Sequence, residues 1–279
     1  MLNQMILVGK VTKDLEIRET TNGRSFAIAT LEVEKENPET GASKSELNVS
    51  LWGVTAENTA KYAGEGSIIS IRGRAANRLL DFPGEQTLRT IGIVGEQVSF
   101  IQTKAPGAIR TNTHAKESEN NLPFSLNQAI LIGRTTRDME LKKTKDGRSY
   151  GIVTLAVTRK FKNLETNAYD SDFIDVSLWG ANAKAFAKNA GGGSAVTIRG
   201  HIVNRILDFP GETTINSIGI VGDKVSFLSI KPPQIQQQIS DHEVESKDEY
   251  IPLIEENLEQ YPDVTNKKNQ NNKEVSLGD

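Results

Sequence analysis

Two tryptophans define the chemistry open to this chain. Trp52 closes a run in which Leu47, Val49 and Leu51 alternate with Asn48 and Ser50. Trp179 closes a matching run in which Val176 and Leu178 alternate with Asp175 and Ser177. Period two places each indole on the polar side of a strand. A flat ring there can serve as a stacking platform for a base, at about 1–3 kcal/mol per base. It can equally close one end of a small barrel against a helix, and the residues leave both roles open. Arg72, Arg74 and Arg78 share one strand face, and Arg199, His201 and Arg205 repeat them. Cations at two-residue steps can follow a phosphate backbone, although an ordinary solvated face carries the same pattern. Arg24 and Arg148 flank a hairpin signal in the two places. Flat faces plus cations are what an unpaired polynucleotide needs.

Other chemistries find no residues to perform them. The sequence has no cysteine, which removes disulfides, iron–sulfur clusters, zinc knuckles and a thiol nucleophile. Its three histidines, His114, His201 and His242, lack ligand spacing. There is no Gly-x-x-x-x-Gly-Lys-Ser/Thr loop and no clustered carboxylate set, so neither an enzyme nor a cofactor is expected. Gly191-Gly192-Gly193-Ser194 follows a helix and precedes a strand, the reverse of a phosphate loop, and reads as a helix-ending turn. No apolar run of about 18 residues predicts a membrane span. No basic leader with an apolar core is seen, so the expected compartment is the cytoplasm.

These residues occur twice because the chain is duplicated. Asn3-Gln4-Met5-Ile6-Leu7-Val8-Gly9-Lys10 recurs as Asn127-Gln128-Ala129-Ile130-Leu131-Ile132-Gly133-Arg134. Asn22-Gly23-Arg24-Ser25-Phe26 recurs as Asp146-Gly147-Arg148-Ser149-Tyr150. Arg78 to Glu85 recurs as Arg205 to Glu212. The offset is 124 early and 127 later, so copy two gains three residues between Val157 and Ser171. This period is that of a whole domain rather than of a solenoid unit. The expected division is domain 1 at 1–103, a polar linker at 104–123, domain 2 at 124–231 and a tail at 232–279. The tail, rich in Gln, Lys and Asn, buries too little apolar area to order itself. Charge divides unevenly along these lines: −2, +1, +5 and −7, summing to the −3 of the whole chain. A near-neutral total therefore hides a basic second domain and an acidic tail.

Within each copy, alternation predicts half-buried strands. Ala29, Leu31 and Val33 face one way and Thr30, Glu32 and Glu34 the other. Ile69 and Ile71 alternate with Ser70, Arg72 and Arg74. Asn22-Gly23 and Asp81-Phe82-Pro83-Gly84 mark tight turns. The spacing of Ala56, Thr59, Ala60 and Ala63 predicts a helix over 54–63, with Gly64 as its stop. Three strands, one helix and two strands are the order of an OB barrel. The fold class is therefore all-β, two tandem OB-fold barrels.

The ordered set Asn3–Lys10, Asp14-Leu15-Glu16-Ile17-Arg18, Asn22-Gly23, Leu51-Trp52-Gly53, Gly66-Ser67 and Arg72-Gly73, present twice over roughly 75% of the chain, resembles the bacterial single-stranded DNA-binding protein family. The resemblance implies a non-catalytic protein that coats and protects single-stranded DNA in replication, recombination or repair. It implies the two-domain type, a homodimer with four OB domains, cytoplasmic and nucleoid-associated. The alternative is an accessory factor that assembles proteins in a primosome or mobile element, with weak single-stranded DNA or RNA binding.

The resemblance also distributes the site unevenly. Family platforms stand at the tryptophan position, at the start of the third strand and in the fourth-to-fifth strand hairpin. Copy two offers Trp179, Phe161 and Phe173, with Phe209 near the hairpin position. Copy one offers Trp52 and Phe82, but Asn37 and Glu46 elsewhere. Glu32, Glu34 and Glu36 become Ala156, Thr158 and Lys160, and carboxylates repel phosphates. Domain 2 is therefore expected to bind more strongly. Family members end in an acidic tip that docks replication and repair enzymes. Here Asp248-Glu249-Tyr250-Ile251-Pro252-Leu253 is similar to that tip moved inward, which makes Asp248, Glu249, Ile251, Pro252 and Leu253 the expected partner contacts. A plain acidic solubilising tail is the other reading.

Overall fold

A computed structural model describes residues 1–37, 41–82, 86–107, 125–163, 166–209 and 213–233. Among these, residues 35–37, 41–43, 79–82, 86–89, 206–209 and 213–216 are described by their backbone alone. Copy one contains β1 (Leu2–Val11), β2 (Arg18–Glu19), β3 (Ser25–Asn37), β4 (Gly41–Trp52), α1 (Gly53–Tyr62), β5 (Ile68–Phe82) and β6 (Gln86–Gln102). Copy two repeats them as β7 (Leu126–Thr135), β8 (Lys142–Lys143), β9 (Ser149–Lys162), β10 (Tyr169–Trp179), α2 (Gly180–Asn189), β11 (Ala195–Phe209) and β12 (Thr213–Ser229). The two-residue strands β2 and β8 are additions to the expected five, too short for any periodicity to register.

The long strands close into two barrels. In copy one the order is β3-β4-β6-β5-β1, and β1 pairs back to β3 through Lys10–Glu32 and Val11–Leu31. β7 closes on β9 in the same way through Arg134–Ala156 and Thr135–Leu155. Alternation makes this possible, since one side of each long strand is predominantly apolar. Met5, Leu7, Leu31, Leu51, Ile69 and Ile93 fill the first core, and Leu131, Leu155, Ile174, Val176 and Ile198 the second. Each fully buried side chain of this size contributes about 1.5–3 kcal/mol.

The helices cap the barrels differently. α2 turns Ala183 and Phe186 inward, and Phe186 meets Phe227 at 5.9 Å. α1 turns inward Ala56 and the smaller Thr59, and Phe100 instead remains partly exposed, edge-on to Tyr62 at 6.2 Å. Gly64 follows the helix end, as the sequence suggested, without a left-handed φ. Ala63 caps it by donating its N–H to the Thr59 carbonyl, and a Cβ on Gly64 would meet the Pro106 backbone at 2.6 Å. Gly191 lies equally close to Pro232 and Pro233. Close chain approach, not turn chemistry, requires glycine at both places.

The barrels are joined into one sheet. β1 runs antiparallel to β7 from Leu2–Ile132 to Val8–Leu126. Met5 faces Ala129, its own counterpart at the 124-residue offset, so a pseudo-two-fold axis passes between them. Among the described residues twelve strands result, ending in β2 on one side and β8 on the other.

Candidate nucleic-acid interface

The outer face of β9 and β10 gathers the rings. Register pairs Trp179 with Tyr150, Ser177 with Ile152, Asp175 with Thr154, Phe173 with Ala156 and Ser171 with Thr158. Tyr150 and Trp179 stack at 5.3 Å. Phe173 is 41% exposed, and Tyr169, beyond a register shift at Ser171 and paired with Lys162, is 56% exposed. From Tyr169 to Trp179 is about 33 Å at ~3.3 Å per residue. Lys162 stands over the Tyr169 ring at 5.6 Å, and Lys160 is exposed nearby. Phe161, 83% exposed, projects at the end of β9. One carboxylate interrupts the face: Asp175 is exposed and accepts a hydrogen bond from the Thr154 hydroxyl.

Copy one has the same start and a different continuation. Phe26 lies against Trp52 at 5.4 Å, and the Arg24 guanidinium sits over the indole at 5.1 Å. Both tryptophans are half-buried at the N-caps of the helices. Beyond Ile28 the copy-one face turns polar, with Thr30–Asn48, Glu32–Glu46 and Glu34–Lys44 in register. The Lys44 ammonium lies 3.3 Å from Glu32 and 3.4 Å from Glu34, and Lys10 is 3.6 Å from Glu32. Hydrogen bonding to Glu32 holds the Lys44 pKa above its ordinary value. Carboxylates taken from the sequence as open repulsion are partly neutralised in place.

The expected arginine rows are interrupted. An extra residue in β6, Glu96, bulges opposite Arg72–Gly73, and Asp223 bulges opposite Arg199–Gly200. Each bulge puts a carboxylate beside the next side chain. Arg74 pairs with Glu96 at 3.5 Å, and His201 is buried with Nδ1 2.9 Å from Asp223. Arg205 folds onto Gly219 and donates to the Ser177 hydroxyl at 2.9 Å. Arg78 lies across Gly92 in the same manner. Arg72, Arg78 and Arg199 keep exposed positions, and Arg148 is half-buried at the β8–β9 turn. Only part of each row thus faces solvent. Phe82 and Phe209 lie where side chains are not described, and Asp248, Glu249, Ile251, Pro252 and Leu253 lie outside the described residues.

Sequence reasoning missed Tyr150, Phe26, Ile152 and Tyr169. The first two sit in the repeated Gly-Arg-Ser-aromatic motif, and strand alternation through Ile152 carried the signal for their face. Tyr169 follows the three-residue insertion, where the repeat offers no counterpart.

Tandem OB barrels with an aromatic, cation-flanked outer sheet define a class of small nucleic-acid-binding modules. A family model described as the single-strand binding protein family matches residues 2–101 and again 126–228, and the chain belongs to that family. Single-stranded DNA-binding protein B of Bacillus subtilis is 33% identical over 106 residues, 38% of this chain and 93% of that protein. The single-stranded DNA-binding protein of Oceanobacillus iheyensis is 34% identical over 115 residues, 41% of this chain and 71% of that protein. The wild-type single-stranded DNA-binding protein of Thermus aquaticus has the same fold. Its TM-score is 0.60 at 22% identity, over 84% of this chain and 96% of that one.

Proposed function

We propose that this chain binds single-stranded DNA without catalysis, chiefly through the β9–β10 face of domain 2. One observation carries the reading: Tyr150, Trp179 and Phe173 lie on one outer side of two paired strands, and exposed Tyr169, Lys160 and Lys162 follow beyond a register shift at Ser171. Bases stack on the rings and phosphates meet the ammonium groups, a combination indifferent to sequence. Domain 1 repeats the aromatic start at Trp52 but continues into an acidic patch, which supports weaker binding there. Units at 1–103 and 124–231, coating of DNA in replication, recombination or repair, a homodimer with four barrels, and a tail that docks partner enzymes near the nucleoid belong to the same proposal. Family membership supports them.

The test uses the full chain with one reporter at a time. Trp52→Phe leaves Trp179 as the only indole, and Trp179→Phe leaves Trp52. Each is titrated with oligo-dT at two salt concentrations. Trp179 should quench to saturation at lower oligo-dT than Trp52, with affinity falling as salt rises. Joint quenching at equal concentrations refutes the asymmetry alone. Absence of saturable quenching at either indole refutes the binding reading.

A further inference from the structure

We propose that Arg74 is a positioning residue: reaching from domain 1, it braces the β9–β10 hairpin of domain 2 through Asp172. The inference rests on the reading of β9–β10 as the binding face.

Asp172 is the key group. Its side chain is only 3% exposed, so its charge has lost most of its water and must be met by protein. Within the hairpin, Arg159 donates a bifurcated hydrogen bond from Nε, 3.1 Å from each carboxylate oxygen, and another from Nη2 at 2.6 Å to Oδ1. This bonding keeps the Arg159 pKa above its ordinary value. The second guanidinium comes from the other barrel, with Arg74 Nη1 3.5 Å from Asp172 Oδ2. Glu96, 3.5 Å from Arg74 Nε, holds that arginine in place. Asp172 is the immediate neighbour of Phe173 on the opposite side of β10. Fixing one side of the strand fixes the direction in which the ring on the other side points. The groove between these elements, about 700 Å³, is bordered by Met1 and Asn3 of domain 1 and by Lys160 and Phe161 of the hairpin.

The residues of the brace are not repeated in the other copy. At the pseudo-symmetric position Ser45 stands where Asp172 does, and His201 stands where Arg74 does. His201 turns to Asp223 in its own barrel. The neighbouring contact is also unequal. The Glu34 N–H donates to the Ser125 hydroxyl at 2.7 Å, whereas Thr158 meets the Met1 sulfur at 3.3 Å. Domain 1 therefore supports the aromatic hairpin of domain 2 by a charge pair whose residue types the repeat does not reproduce.

The experiment separates a brace from a direct phosphate contact. Arg74→Gln and Asp172→Asn are made in the full chain, singly and together, and titrated with oligo-dT across a salt series. Amide hydrogen exchange is followed over 157–173. The brace predicts that both single changes weaken binding by about three- to tenfold and that the double change is no worse than the larger single one. It also predicts an unaltered salt slope and faster exchange in the hairpin. Weakening by Asp172→Asn runs against simple electrostatics, because removing a carboxylate near DNA should tighten binding. If instead Arg74→Gln lowers the salt slope by about one and leaves exchange unchanged, Arg74 contacts phosphate and the brace is refuted. Should Asp172→Asn fail to fold, Arg74→Gln decides alone, by the same slope and exchange readouts. Failure of the wild-type chain to bind oligo-dT would strike the functional reading instead, leaving exchange to judge the brace.

Discussion

At the residue scale, the proposed face contains one group that works against it. Asp175 sits between Phe173 and Trp179 on the exposed side of β10 and is held by the Thr154 hydroxyl. Copy one has Asn48 at the matching rung, bonded from Thr30 in the same way at 2.9 Å. Asp175→Asn therefore keeps the local hydrogen bond and removes a negative charge from the path of the phosphates. We expect affinity for oligo-dT to rise by about three- to tenfold at low salt, an exposed charge term of ~1 kcal/mol that fades as salt screens it. Unchanged affinity at low salt would mean that the strand does not pass Asp175. The alternation that located this face was fully legible in the sequence. The partners of its charged groups were not: Lys44 beside Glu32 and Glu34, or Glu96 beside Arg74, become neighbours only through strand register and a bulge.

At the element scale, barrel closure relies on a side chain that imitates a strand. Asn3 donates from Nδ2 to the Ala75 carbonyl at 2.8 Å and accepts the Ala75 N–H at 2.9 Å. Asn127 does the same for Ile202, at 2.7 and 2.9 Å. These bonds extend the β1–β5 and β7–β11 ladders where backbone pairing has stopped at Met5–Gly73 and Ala129–Gly200. Asn127→Ala would leave a donor and an acceptor of Ile202 without their partner. A loss of about 1–3 kcal/mol is expected in urea unfolding, with the slope of the transition unchanged. The repeat displayed both asparagines but could not assign them, since Asn near a strand start ordinarily reads as turn chemistry. The bulges had a visible signal in Gly73 and Gly200, where a Cβ would overlap the carbonyls of Val94 and Val221. A glycine within a strand marks such a place without saying which neighbouring strand carries the extra residue.

At the scale of the whole molecule, duplication was plain in the sequence, and the joining of the two barrels was not. Nothing in Asn3–Lys10 announces that it pairs with its own repeat, because a strand already satisfied on one edge looks the same with either neighbour. The β1–β7 ladder, centred on Met5 and Ala129, links the cores through backbone hydrogen bonds. Thermal unfolding should therefore be a single event. In the two single-tryptophan variants, Trp52 and Trp179 should report coincident midpoints, the usual criterion for cooperative loss of structure. Midpoints separated by several degrees would show that the barrels melt independently.

The twelve-stranded sheet has to stop somewhere, and it stops at Arg18–Glu19 and Lys142–Lys143. Each terminus offers a stub of two exposed, charged residues, too short and too well hydrated to template another chain. The proposed coating of DNA would bring copies of the chain together at very high local concentration. Blunt margins of this kind would let the copies crowd together without fusing into a ribbon.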